Sequence, residues 1–191
     1  MKKVGILGGT FDPPHIGHLL IAEQARLQME LDEVWWMPNR IPPHKKRKSD
    51  TSDEDRISLV SLMTKKHDGF CVCNVEFERE GPSFTVETIE RLQKKHLDHT
   101  FYFIIGGDSL ETLPTWHESE RLQQLVSFIV IERPNYPFPK QRSNDHIHFV
   151  EGPTIDVSSS YIRENINTSM FNKFLLTDEV YKFIKELKLY E

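Results

Sequence analysis

Two histidines in H-I-G-H, His15 and His18, follow closely on a glycine pair and a double proline. A neutral imidazole offers an N–H donor near neutral pH. Residues at i and i+3 across a helix start face the same spot. Ahead of them, Val4, Ile6 and Leu7 read as a short buried strand that Gly8 and Gly9 end. Glycine has no Cβ, so a large anion can lie against the backbone there. Pro13 and Pro14 stiffen the loop and forbid helix just before them. Strand, glycine-rich turn and helix N-terminus together gather free N–H groups and a positive dipole end around a phosphate. A tight turn carrying surface histidines is the plain alternative. Against it, two glycines, Thr10, two prolines and the spaced His pair all fall between Gly8 and His18.

Four other groupings could do chemistry. Pro42 and Pro43 precede a basic run, His44 to Lys48, and fix where His44 and Lys45 point; Lys46, Arg47 and Lys48 read equally well as a solvated loop. Ser158, Ser159 and Ser160 precede Arg163. Hydroxyls at a helix start can cap it, and a guanidinium can bind phosphate oxygens bidentately. Asp108 follows Gly106 and Gly107, where it could also N-cap the next helix. Trp116 lies in a loop-like stretch after Pro114 and could stack on a flat ring or fill the core. The remaining histidines, His67, His96, His99, His117, His146 and His148, show no metal-ligand spacing. No resident metal is expected.

The elements that must hold these groups alternate in kind. The pattern predicts helices over 17–29, 84–96, 118–126, 158–167 and 177–189. A further helix opens at Thr51, with Glu54 completing a capping box and Ile57, Val60 and Met63 as its buried stripe. Gly69 stops that helix. Strands are expected over 33–37, 70–77, 100–105, 127–131 and 146–150. Polar or proline-rich loops occupy 39–50, 78–83 and 134–144. Strands alternating with helices imply right-handed βαβ crossovers. The expected fold is α/β, a Rossmann-like doubly wound and mainly parallel sheet with helices on both faces. It forms one domain with a small helical part at about 158–191. In such sheets ligands bind at the carboxyl ends of the strands, where strand order reverses. The turns after Gly9, Pro38 and Gly106 would open on that same edge.

Composition narrows the class. The chain has 191 residues, with 38% hydrophobic and 28% charged, as in a soluble globular protein. A net charge of −5 argues against nucleic-acid binding by bulk electrostatics, so an anion site must be local. The lack of a signal pattern or a long apolar run argues against export and membrane spanning, and a cytoplasmic location is expected. Cys71 and Cys73 read as reduced core residues rather than a disulfide or metal pair. Oligomeric state is left open; the 134–144 loop and aromatics near the C-terminus could support a homo-oligomer.

The string G-G-T-F-D-P-P-H-I-G-H resembles the signature of the nucleotidylyltransferase superfamily, and more specifically of the bacterial nicotinate mononucleotide adenylyltransferases. Further motifs agree in order and spacing: P-N-R-I-P-P-H-K from Pro38, P-S-F-T from Pro82, Gly107-Asp108 with Leu113 and Trp116, and V-S-S-S-Y-I-R from Val157. Nearly the whole chain is covered. The family usually has Thr where Ser160 stands, and an acidic or other polar residue at Tyr161.

The resemblance implies adenylyl transfer from ATP to nicotinate mononucleotide in NAD biosynthesis, with Mg²⁺ arriving with ATP. The acceptor phosphate is already an anion, so the protein must align charged groups and stabilise added charge rather than supply a nucleophile. His15, His18 and Arg163 are the expected catalytic residues, His18 nearest the α-phosphate. ATP is expected to meet Gly8, Gly9, Thr10, Phe11, His18, Gly106, Asp108, Ser158, Ser159 and Arg163. The resemblance places His44 and Lys45 at substrate phosphate and Thr85 beside the nicotinate ring, where Trp116 could stack.

Rival readings are another phosphate acceptor, such as phosphopantetheine or a sugar or polyol phosphate, and a non-catalytic nucleotide sensor. The Pro43-His44-Lys45 loop and the Trp116 segment favour the pyridine mononucleotide, and the presence of His15, His18 and Arg163 disfavours the sensor. A class I tRNA synthetase is disfavoured by length and by the lack of a K-M-S-K-S-like loop.

Overall fold

The structure, a computed structural model, describes residues 1–41, 51–132, 136, 138 and 145–191. Among these, six strands form one sheet: β1 (Lys2–Gly9), β2 (Glu33–Pro38), β3 (Phe70–Val72), β4 (His99–Gly106), β5 (Ser127–Ile131) and β6 (Ile147–Val150). Their order is β3-β2-β1-β4-β5-β6 and every pairing is parallel. The chain starts in the middle, winds outward to β3, returns past β1 to β4 and winds out the other way. Strand order therefore reverses between β1 and β4, the doubly wound arrangement that the alternating pattern predicts.

Side-chain alternation along the strands builds two cores. Leu7, Val34, Trp36, Ile104, Ile129 and Ile131 face one side, with α1 (Ile16–Gln28), α2 (Asp53–Thr64), α6 (Ser159–Asn165) and α7 (Asp178–Glu186) contributing to that core. Val4, Ile6, Phe101, Phe103, Phe128 and Val130 face the other, against α3 (Thr85–Lys95) and α5 (Ser119–Leu125). Burial on both faces explains the continuous apolar runs of β4 and β5.

The third strand is shorter than the sequence suggests. It stops at Val72, and residues Val75–Glu78 turn as a 3-10 helix rather than extending the strand to 77. The register supplies the reason. Cys73 N–H bonds to Trp36 O at 2.9 Å, and the next ladder bond back to Cys73 would need an N–H from Pro38, which has none.

The start of α2 also shifts by one residue. Ser52, not Thr51, is the cap: its hydroxyl accepts Asp55 N–H at 3.0 Å and donates to the Asp55 carboxylate at 2.8 Å. The inner face then carries Arg56, Leu59, Val60 and Met63, while Ile57 is only half-buried. Arg56 has no exposed surface. It enters the core because its guanidinium has partners there: Thr10 O at 2.9 Å, Asn39 O at 2.8 Å and Asp53 Oδ1 at 2.7 Å.

The last helix begins close to the expected 177, with Thr177 as its cap, but ends at Glu186 rather than 189, leaving Leu187 exposed. The proline-rich stretch expected over 134–144 lies almost wholly outside the described residues. No helix among the described residues is long and apolar enough to cross a membrane.

Both cysteines are free; Cys73 is buried but Cys71 is half-exposed on the edge strand, not in the core. Burial pushes the Cys73 thiol up to about 11. The thiolate is the reactive form, so a thiol-reactive dye at pH 8 should label Cys71 first and leave Cys73 unmodified until the protein is denatured. Equal labelling rates in the native state would contradict this.

Candidate active site

The loop after β1 carries the histidine pair on the switch-point edge of the sheet. His15 is the N-terminal flanking residue of α1, with extended backbone (φ −146°, ψ 174°). Its N–H donates to His18 Nδ1 at 3.1 Å, and His18 N–H returns a bond to His15 O at 2.9 Å. The two rings lie 3.8 Å apart between centroids. Because His18 Nδ1 accepts, the neutral ring carries its proton on Nε2 and holds a fixed donor there. Phe11 backs this ring edge-on at 5.0 Å, and Trp36 lies behind at 6.3 Å.

Gly17 has a packing reason. A Cβ there would stand 2.9 Å from Val157 Cγ1 and 3.0 Å from His15 Nδ1. The glycine of H-I-G-H thus lets the 157 segment close over the first histidine.

Gly8 and Gly9 end β1, and Phe11 follows them in the loop that leads to the histidines. The space that a Cβ would fill is taken by this chain's own rings: Phe103 lies 3.1 Å from the Gly8 position and Phe11 3.1 Å from the Gly9 position. A side chain at either position would press on one of these rings. Phe11 itself is 1% exposed. Its ring is a core support for His18, pulled inward by a left-handed backbone (φ 50°).

The segment at the start of α6 is tied to the same loop. Ser159 Oγ donates to Pro13 O at 2.8 Å. Arg163 Nη1 donates to Asp12 O at 2.6 Å, Nη2 donates to Ser160 Oγ at 3.0 Å, and the Asp12 carboxylate stands 3.9 Å from Nη1. Ser158 caps α6, its hydroxyl accepting Tyr161 N–H at 3.2 Å. The serine–arginine segment and the imidazoles are thus neighbours.

A cavity of about 200 Å³ opens between these pieces, lined by His15, Gly17, Asp108, Glu132, Asp156 and Ser158 among others. Asp108 reaches it from the first turn of α4 (Gly107–Thr112), which Gly106 rather than Asp108 caps. Gly106 itself is buried at the β4–α4 junction, and Thr10 is half-buried with its carbonyl bound to Arg56. Three carboxylates make much of this lining acceptor-rich, suited to hydroxyl and amino donors. The imidazoles and the start of α6 are the donors suited to phosphate.

The remaining expected contacts lie elsewhere. Thr85 opens α3, half-buried. Phe84, one residue before it, stacks on His117 at 4.1 Å, one residue after Trp116. Trp116 packs edge-on against Phe103 at 6.1 Å, the ring that covers Gly8. Thr85 and Trp116 thus sit on adjoining segments beside the β1 turn. His44 and Lys45 lie outside the described residues.

Some positioning residues carry no clear mark in the sequence. Buried Ser83 accepts the N–H groups of both Arg40 and Ile41 at 3.1 Å, and its own N–H donates to Ile41 O at 2.8 Å. It stitches the start of the P-N-R-I-P-P loop to the turn before α3. Gln24 Nε2 donates to Pro153 O at 2.8 Å, and Gln28 Nε2 donates to Glu151 O, holding the 151–153 segment on α1. The two glutamines are four residues apart on one helix face, a spacing visible in the sequence but not telling by itself.

The cytidylyltransferase-like family model matches residues 6–165. A probable nicotinate-nucleotide adenylyltransferase of Bacillus cytotoxicus is 49% identical over the full length of both chains. One of Oceanobacillus iheyensis is 44% identical, covering all of this chain and 97% of its own. Among solved structures, a Plasmodium falciparum nicotinic acid mononucleotide adenylyltransferase complexed with NaAD superposes with a TM-score of 0.85. Its identity is 20%, with 100% of this chain and 98% of the other covered.

Replacing Gly17 by alanine sets two effects against each other. Alanine favours helix by roughly 1 kcal/mol, while its methyl group must displace Val157 or His15. The clash is expected to prevail: the His15 and His18 imidazole resonances shift in NMR spectra, and Tm falls by a few degrees. Unmoved resonances with a raised Tm would show that the site has room to spare.

Proposed function

Since the chain belongs to the cytidylyltransferase-like family, and within it to the nicotinate-nucleotide adenylyltransferases, we propose that it transfers the adenylyl group of ATP to nicotinate mononucleotide. The 5′-phosphate oxygen of the mononucleotide attacks the α-phosphorus, the bond to the β-phosphate oxygen breaks, and pyrophosphate leaves. The product is nicotinate adenine dinucleotide, for NAD biosynthesis. No covalent enzyme intermediate is needed, because the attacking group is already an anion.

The observation that carries this reading is the tie between the two motif segments. Ser159 and Arg163 hold the carbonyls of Pro13 and Asp12, so that His15 and Ser158 line one cavity with Asp108. His18 Nε2–H then serves as a donor to the α-phosphate oxygens as charge builds in the transition state. His15 and Arg163 orient the outer phosphates, and backbone N–H groups near Thr10, Ser158 and Ser159 add donors. Asp108 accepts from the nucleoside, at its ribose hydroxyls. Mg²⁺ arrives with ATP, held by phosphate oxygens and water. The solved Plasmodium relatives, in complexes with NaAD and with APC, support a two-nucleotide site on this fold.

The nicotinate end falls to the segments around Thr85 and Trp116, with His44 and Lys45 toward its phosphate. The N-terminus of α3 presents backbone N–H groups, which favour nicotinate's carboxylate over a neutral amide.

Pyrophosphate release from ATP plus nicotinate mononucleotide tests the assignment. H18A is expected to lower kcat by about a hundredfold, the scale of losing one transition-state donor, with KM for either substrate little changed. An unchanged kcat with a raised KM would assign His18 to binding alone. Nicotinamide mononucleotide should be used at least about tenfold less efficiently, since the helix start is left without its anion. Equal kcat/KM for acid and amide would remove α3 from substrate selection.

A further inference from the structure

The penultimate residue reaches back to the loop that holds the histidines. Tyr190 Oη donates to Asp12 Oδ1 at 2.8 Å, across 178 residues of chain. Asp12 is 3% exposed, a carboxylate buried within the loop. Its main-chain oxygen accepts Arg163 Nη1 at 2.6 Å, and its second carboxylate oxygen, Oδ2, stands 3.9 Å from the same nitrogen. With Oδ1 held by the phenol, the carboxylate cannot swing, and Oδ2 stays on the guanidinium side.

The backbone is arranged to deliver this hydroxyl. After α7 the chain stops in a regular helix-ending turn: Leu189 N–H bonds to Ile184 O at 3.0 Å and Lys188 N–H to Lys185 O at 3.4 Å, with Lys188 left-handed at φ 52°. That motif accounts for Lys188. It does not account for Tyr190, which is left-handed again at φ 67°. Such a conformation is unfavourable for a bulky residue and persists only where its surroundings compel it. Here Asn167 Nδ2 holds the Tyr190 carbonyl at 3.0 Å while the ring packs against the α1–α7 core. Burial, and then the charge of Asp12, raise the phenol well above its ordinary range, so it remains a donor wherever the protein is folded.

We propose that Tyr190 is a positioning residue for Arg163: acting through Asp12, its hydroxyl sets where the guanidinium stands relative to the imidazole pair. The proposal rests on the reading of Arg163 as a phosphate ligand. It makes the C-terminal residues of the chain part of the reaction apparatus, although they touch no substrate.

Y190F removes the hydroxyl and keeps the ring. The expected result is a fall in kcat of about tenfold, with KM for nicotinate mononucleotide unchanged and Tm lowered by no more than a few degrees. In an R163A background, Y190F should change kcat less than about twofold, because the group it positions is gone. A wild-type kcat in Y190F would overturn the proposal. So would an equal fractional loss with and without Arg163, which is what a merely structural tail would produce. ATP affinity, measured by calorimetry on the same four proteins, separates this proposal from the functional reading. If the wild type releases no pyrophosphate, that reading fails. The coupling between Tyr190 and Arg163 is then judged on ATP affinity alone, non-additive losses supporting it and additive or absent ones overturning it.

Discussion

A loop that is buried but cannot pair with a neighbouring strand must find donors elsewhere, and this constraint shapes the molecule. Phe11, Asp12, Pro13, Pro14 and His15 are all buried, and the two prolines have no N–H to offer. Buried carbonyls without partners are costly. Side chains from remote helices supply the donors: Arg56 to Thr10 O and Asn39 O, Arg163 to Asp12 O, and Ser159 to Pro13 O. Hydrogen bonds to charged groups contribute roughly 1.5–3 kcal/mol each, so losing either arginine would leave buried acceptors exposed to the full penalty.

The same donors determine the site's geometry. Arg56 spans the turn after β1 and the turn after β2, and therefore sets the width of the edge on which both open. Arg163 and Ser159 bring α6 against the histidine loop, although about 145 residues separate them in sequence. Gly17 lets the chain at Val157 approach closely enough to complete the enclosure. Stability and function here draw on the same hydrogen bonds, as is common where binding residues sit on loops held by a rigid scaffold.

Two cores of different character support this edge. On the α3–α5 side, two ring pairs, Phe103 with Trp116 and Phe84 with His117, lie between Gly8 and the start of α3. On the other side Phe11 and Trp36 back the His18 ring. At both glycines of the first turn a ring lies where a Cβ would press on it. That gives rigid, apolar backing to donors that must not shift as charge develops.

Much of the architecture was legible from the residues alone. Period-two and period-3.6 apolar patterns act locally, and they located α1, α3, β4, β5 and the parallel order. The spacing of His15 and His18, and the hydroxyls before Arg163, were likewise visible because each is short-range. What only the tertiary structure decided is long-range. The third strand ends where a proline on its neighbour withholds an N–H; the inner face of α2 carries Arg56 because its guanidinium finds carbonyls inside; the space beside Gly8 and Gly9 is filled by Phe103 and Phe11. Ser83 and Tyr190 act through partners more than forty and more than one hundred and seventy positions away. A sequence lists donors and acceptors but not their pairings, because a pairing is a property of two distant positions brought together by packing.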